Sequence, residues 1–139
     1  MGYTTRFKGS LRIEPQPKKE LVEMINNFSK TRHDEKDFPG IWCQWIISEG
    51  RFLCWNGGEK FYNYMGWLEY LIKNYFVPGN YVLNGKIYFR GERFEDMGVI
   101  CVEDNYVKLI NGLMEISEDE MVIVVSMNPV GKIDMEFIS

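Results

Sequence analysis

Residues 41–55 read IWCQWIISEGRFLCW, two runs of aromatic and aliphatic side chains on either side of Glu49-Gly50. Tryptophan, isoleucine and phenylalanine suit the pleated, half-buried surface of a sheet, and Glu-Gly supplies a turn, so a β-hairpin is predicted over 41–55. The first run holds Trp42, Trp45 and isoleucines at 41, 46 and 47; so apolar a strand is expected to be buried on both faces or nearly so.

Toward the N terminus, TRHDEKDFPG (31–40) is dense in charge and ends in Pro39-Gly40, the composition of a surface loop. Before it, Leu21, Met24, Ile25 and Phe28 recur at three-and-four spacing, which predicts an amphipathic helix over roughly 17–30 with Pro17 in its first turn. Residues 3–13, YTTRFKGSLRI, alternate. Tyr3, Thr5, Phe7, Gly9, Leu11 and Ile13 share one face and Arg6, Lys8, Ser10 and Arg12 the other, as in a half-buried strand with a basic outer side.

Toward the C terminus, Asn56-Gly57-Gly58-Glu59 has the form of a capping box and predicts a helix start. Phe61, Met65, Leu68, Leu71 or Ile72, and Phe76 form its apolar stripe, and Pro78-Gly79 its stop. Short strands follow. Asn84-Gly85 predicts a tight hairpin between YVL and KIYF, and Asp104-Asn105 and Asn111-Gly112 repeat that logic. MVIVVSM (121–127) is expected to turn at Asn128-Pro129-Val130-Gly131 into IDMEFI, with Glu118-Asp119-Glu120 in a loop before it. The order β-α-ββ-α, then four to six strands, predicts an α+β fold: a mostly antiparallel sheet with two amphipathic helices packed on one face. Residues 1–112 are expected to form a single domain, and 113–139 a C-terminal strand extension or oligomerisation hairpin.

At 139 residues, with 45% hydrophobic and 26% charged side chains, the chain can bury one core, which excludes the disordered and fibrous classes. It has no apolar run of the roughly 18 to 20 residues that would cross a bilayer. Its start, MGYTTRFKG, lacks a secretion signal's apolar stretch and carries Arg6 where a myristoylation signal needs Ser or Thr. A cytoplasmic protein without membrane contact is expected. Cys43, Cys54 and Cys101 are odd in number and form no Cys-x-x-Cys pair, so buried free thiols are expected. With His33 the single histidine, neither a metal site nor a cofactor is expected.

The net charge of −4 is uneven: residues 1–36 carry eight Lys/Arg against five Asp/Glu, and residues 91–139 three against eleven. An acidic chain without a basic helix does not fit duplex nucleic acid as a partner. Nucleophile–histidine arrangements would all pass through His33, which lies in a charged loop, and no catalytic residue is assigned. Gly57-Gly58-Glu59-Lys60 lacks the spacing of a phosphate-binding loop. Nine Phe, eight Tyr and four Trp make an aromatic excess, and Tyr and Trp favour surfaces that are apolar at one end and wet at the other. Trp42, Trp45, Trp55, Tyr62 and Trp67 are therefore candidates for stacking, with Arg6, Arg12 and Arg32 pairing a phosphate.

The runs MGYTTRFKGS, FSKTR, PGIWCQW, WNGGEKFYNYMGWLEYLIKNYF, YVLNGKIYFRGE and GVICVEDNYV, in that order over roughly residues 1–107, resemble a small protein family of bacteria, phages and prophages. The chain departs from that family's pattern in its shorter loop TRHDEKDFPG and in Pro78-Gly79-Asn80, where the family has a Trp-Gly. The resemblance carries over no catalytic residues. It implies a phage or mobile-element setting, and with it a counter-defence role in which a compact protein binds a host protein or sequesters a nucleotide signal. The expectation is a non-enzymatic binding protein, a homodimer, that engages a host protein or an anionic small ligand. The alternatives are a small enzyme using an acid among Glu92, Glu95, Asp96, Glu103 and Asp104, with Arg32 or His33, and an assembly protein with no ligand.

Overall fold

The computed structural model describes residues 2–116, 122–127 and 133–138. Its elements are β1 (Arg6–Glu14), α1 (Lys19–Phe28), β2 (Trp45–Ser48), β3 (Phe52–Trp55), α2 (Tyr64–Leu71) running into a π turn (Ile72–Phe76), β4 (Val82–Arg90), β5 (Met97–Glu103), β6 (Tyr106–Ile116), β7 (Val122–Met127) and β8 (Ile133–Ile138). The strand order is β2-β3-β1-β4-β5-β6-β7-β8 with every neighbouring pair antiparallel. This is the α+β fold expected. The acidic run 118–120 and the turn 128–131 lie outside the described residues. No helix among the described residues is long and apolar enough to cross a membrane.

Alternation along the central strands decides which face is covered. Leu11 and Ile13 of β1, Leu83, Ile87 and Phe89 of β4, and Ile100 and Val102 of β5 are buried on one face with Ile25 of α1, Trp67, Leu68 and Leu71 of α2, and Ile72 and Phe76. Both helices therefore sit on that side. In α1 the buried stripe runs through Leu21, Val22, Ile25 and Phe28, and Met24, expected within it, is 52% exposed. On the opposite face, Tyr88 and Val99 are buried with Cys101 and Ile110 against them.

The hairpin read from 41–55 is present over Trp45–Ser48 and Phe52–Trp55, and residues 41–44, expected in its first strand, lie outside it. Glu49 and Gly50 turn it at φ 55° and 64°, and Trp45 pairs with Trp55 at its open end. Asp104 and Asn105 also take positive φ, 48° and 71°, and close β5 onto β6 as their sequence implies.

Four local expectations are corrected. The second helix starts at Tyr64, not at Asn56. The Asn56 side chain is spent on the Gly58 amide (2.8 Å), and Lys60 at φ 58° cannot propagate a helix. Asn63 supplies the cap instead, its Oδ1 accepting from the Gly66 amide. Second, Asn84-Gly85 lies inside β4 rather than in a turn. Gly85 (φ +148°) faces Leu11, and an added Cβ would stand 2.7 Å from the Ser10 carbonyl oxygen, so a glycine is required by a close strand neighbour. Third, Asn111-Gly112 is the point where continuous β6 changes partner, from β5 at Asn111 to β7 at Gly112. Fourth, β1 begins at Arg6 rather than Tyr3, because the amides of Tyr3 and Thr4 are taken by Tyr62 Oη and Glu92 Oε2 instead of a strand.

Burial pushes the Cys43 thiol up to about 12, and burial, with Asp96 and Tyr3 adding to it, pushes the Tyr64 hydroxyl up to about 12. In the unfolded chain these groups ionise near ~8.5 and ~10. Above those values the unfolded state binds fewer protons than the folded one. Their contribution is thus fully present below about pH 8.5 and lost as pH rises toward the folded values. Urea melts between about pH 8 and 11 should show a midpoint that falls with pH, with the fall between about pH 8.5 and 10 reduced in Cys43→Val and the remainder there left to Cys54, whose thiol burial also pushes up. A midpoint flat to the top of that range would contradict this account.

Candidate anion-binding site

Because Phe7, Leu11 and Ile13 of β1 point to the helices, Arg6, Lys8, Ser10 and Arg12 point to the other side of the sheet. On β4 the same rule sends Lys86, Tyr88 and Arg90 outward. The register then sets Arg6 directly opposite Arg90 on the first rung of the β1–β4 ladder. Directly opposed residues have Cβ atoms about 4.5–5.5 Å apart, and like charges in that relation are destabilising. Both arginines are exposed, and neither forms an ion pair among the described residues.

The pair lines a cleft of about 400 Å³ with Thr4, Glu59, Gly91 and Glu92. Its walls are held by hydrogen bonds from the N-terminal segment. Thr4 donates its amide to Glu92; Tyr3 donates its hydroxyl to Asp96 Oδ2 (2.6 Å) and accepts from the Arg93 amide (3.0 Å). Gly91 in turn donates to the Asp96 carbonyl (2.7 Å). On the other side the Glu59 carbonyl accepts from Gln44 Nε2 (2.7 Å), which fixes the backbone while the exposed carboxylate has no partner among the described residues. The cleft thus offers two guanidiniums and one carboxylate without partners among the described residues, and a second carboxylate already in use.

Of the residues singled out from the sequence, Arg6 lines this cleft. Tyr62, 54% exposed, accepts the Tyr3 amide through its hydroxyl (3.2 Å) and so adjoins the same segment. Arg12 sits at the far end of β1, committed to Glu14 (2.7 Å), which Arg51 also approaches (3.5 Å). Those two cations, Arg12 foremost, hold the Glu14 carboxyl below its usual range. Arg32 lies in the 31–38 loop beside a separate hollow of about 410 Å³ with His33, Asp34, Glu35 and Ile41. Trp42 is 47% exposed and has no ring or hydrogen-bond partner among the described residues.

The remaining tryptophans serve packing. Trp45 is fully buried, donating to the Tyr64 carbonyl (3.0 Å) and meeting Phe7 and Phe61 edge-on. Trp67 is fully buried among Phe28, His33, Phe38 and Tyr70. Trp55 is half-buried, its ring on Phe7 and its Nε1 donating to Gln44 Oε1 (3.0 Å). The Trp45 and Trp67 rings, so enclosed, are walls of the core, not faces for a ligand. The surplus of aromatic residues is absorbed largely by this network, which plugs the space between helices and sheet and pins the 31–40 loop through His33 and Phe38.

Four of the five acids of 92–104, all but Glu103, are also occupied structurally. Glu92 and Asp96 clamp the N-terminal segment, Glu95 stands 3.8 Å from Arg93, and Asp104 exchanges hydrogen bonds with Asn84. His33 bonds the Phe28 carbonyl through Nε2 (3.1 Å). Among the described residues no cluster of three or more His, Cys, Asp or Glu is arranged to hold a metal ion. No protein-family model matches the chain, and neither a curated protein nor a solved structure matches it.

Proposed function

We propose that this chain is a non-enzymatic cytoplasmic binding protein that takes a small phosphate-bearing anion, of nucleotide-like kind, in the cleft between Arg6 and Arg90, and serves a counter-defence role in a phage or mobile element. The observation that carries the reading is the opposed arginine pair, which forms no ion pair among the described residues. Guanidinium groups present planar forks of donors matched to phosphate oxygens, and an anion between them turns a repulsion into two charge-assisted contacts. The setting comes from the family resemblance of the runs over residues 1–107 and stands as part of the proposal.

The test is thermal melting with and without a panel of phosphate compounds. A ligand at about 100 times its Kd should stabilise the folded chain by about 2.7 kcal/mol, several degrees in melting temperature, in the natural sequence but not in Arg90→Ala. No shift across the panel, or a shift that persists in Arg90→Ala, sinks this reading. A host protein as partner is the second reading, favoured by Trp42: a half-exposed tryptophan without a partner among the described residues is the kind of side chain that anchors protein interfaces.

A further inference from the structure

The two-arginine cleft is not purely basic, and its acids restrict what it fits. A bare anion seated between Arg6 and Arg90 would also face Glu59 and Glu92, two groups of its own sign. Glu92 is partly satisfied by the Thr4 amide. The Glu59 carboxylate accepts nothing from the described residues, and an ionised carboxylate is an acceptor only, so what completes it is a donor. A ligand that satisfies the whole cleft therefore carries an anionic group with several acceptor oxygens and, a few bonds away, a hydroxyl. About 400 Å³ lies within the common range for small-molecule sites, roughly 300 to 1,000 Å³, and matches a compact molecule.

We propose that the ligand is a phosphorylated sugar, either free or as the ribose phosphate of a nucleotide, with its phosphate between Arg6 and Arg90 and a sugar hydroxyl donating to Glu59. This rests on the reading of the cleft as an anion site. Arg90 and Glu59 were not among the binding residues expected from the sequence, where Glu59 was read as part of a helix cap, and together they divide the labour: the arginines supply affinity for the phosphate, and Glu59 discriminates what the phosphate is attached to.

Isothermal titration of the full chain with inorganic phosphate, ribose 5-phosphate, a ribonucleoside 5′-monophosphate and its 2′,3′-dideoxy counterpart tests this. The ribose-bearing ligands should bind at least about ten-fold tighter than inorganic phosphate, the factor expected of a hydrogen bond to a charged group. Glu59→Ala should erase that advantage while phosphate binds as well as before or better, because a like charge has been removed. Glu59 has an exposed, unpartnered side chain and contributes to the fold through its carbonyl, so the variant should keep its melting temperature. Equal binding by ribose 5-phosphate and the nucleotide identifies the sugar phosphate as sufficient; binding by the nucleotide alone identifies the nucleotide as the source. Dideoxy and ribose forms that bind alike, or a Glu59→Ala that changes nothing, overturn the hydroxyl contact and leave the anion site standing. Absence of any phosphate binding that responds to Arg90→Ala overturns both.

Discussion

A Gly85→Ala variant is expected to lose about 2 to 6 kcal/mol of unfolding free energy, combining ~1–3 kcal/mol of backbone strain with ~1–3 kcal/mol of crowding. At φ +148° an L side chain is strained wherever it points, and here its Cβ would meet the Ser10 carbonyl oxygen at 2.7 Å and the Leu11 Cα at 3.2 Å. Both neighbours are backbone of β1, so relief requires the β1–β4 ladder to open at the centre of the sheet. The control is Gly50→Ala in the β2–β3 turn. That glycine also has positive φ (+64°), but nothing lies within 4 Å of an added Cβ, and only the left-handed cost of about 1–2 kcal/mol remains. Urea midpoints measure both; equal losses at the two positions would mean that crowding against β1 contributes nothing.

The second large effect is expected at Asn26, on α1. Its side-chain amide donates to the Ile47 carbonyl (3.0 Å) and accepts from the Ile47 amide (2.8 Å), so it behaves as one residue of a missing strand against β2. β2 is a margin of the sheet, and a bare margin presents unpaired donors and acceptors. Asn26→Ala removes two hydrogen bonds and strands their partly buried partners, a cost of about 2 to 4 kcal/mol. It should also raise the tendency to associate, seen as sedimentation that depends on concentration more strongly than that of the natural chain. Asn26→Asp retains the acceptor and loses the donor, and its loss should be intermediate. An alanine variant with an unchanged urea midpoint would show that the amide is ornamental.

The elements whose signals are local were legible. The 41–55 hairpin, the Asp104-Asn105 turn and the helix ending before Pro78 each follow from side chains within a few residues of one another. The misreadings share a physical cause: a residue type suited to one local conformation was recruited by a distant neighbour. Gly85 serves the approach of Leu11 rather than a turn. Asn56 and Asn63 are both capable caps, and what removes the first is an Asx turn whose following residue, Glu59, is fastened to Gln44 across the fold. The aromatic excess pointed outward in the sequence, yet Trp45 and Trp67 are enclosed because an eight-residue α2 and a ten-residue α1 must fill the space over a wide sheet with few side chains. Arg6 was legible as a cation on the outer side of β1. Arg90 was not, because its importance comes from facing Arg6, and that register joins strands separated by two helices and a hairpin.

The Asn26 amide across β2 also bears on how copies of this chain can combine. Growth of a sheet by addition of further strands needs a margin that accepts them, and a molecule with two such margins propagates without limit. Here the β2 margin has its Ile47 amide and carbonyl taken by Asn26 of α1, so a copy adding a strand there must first displace that side chain.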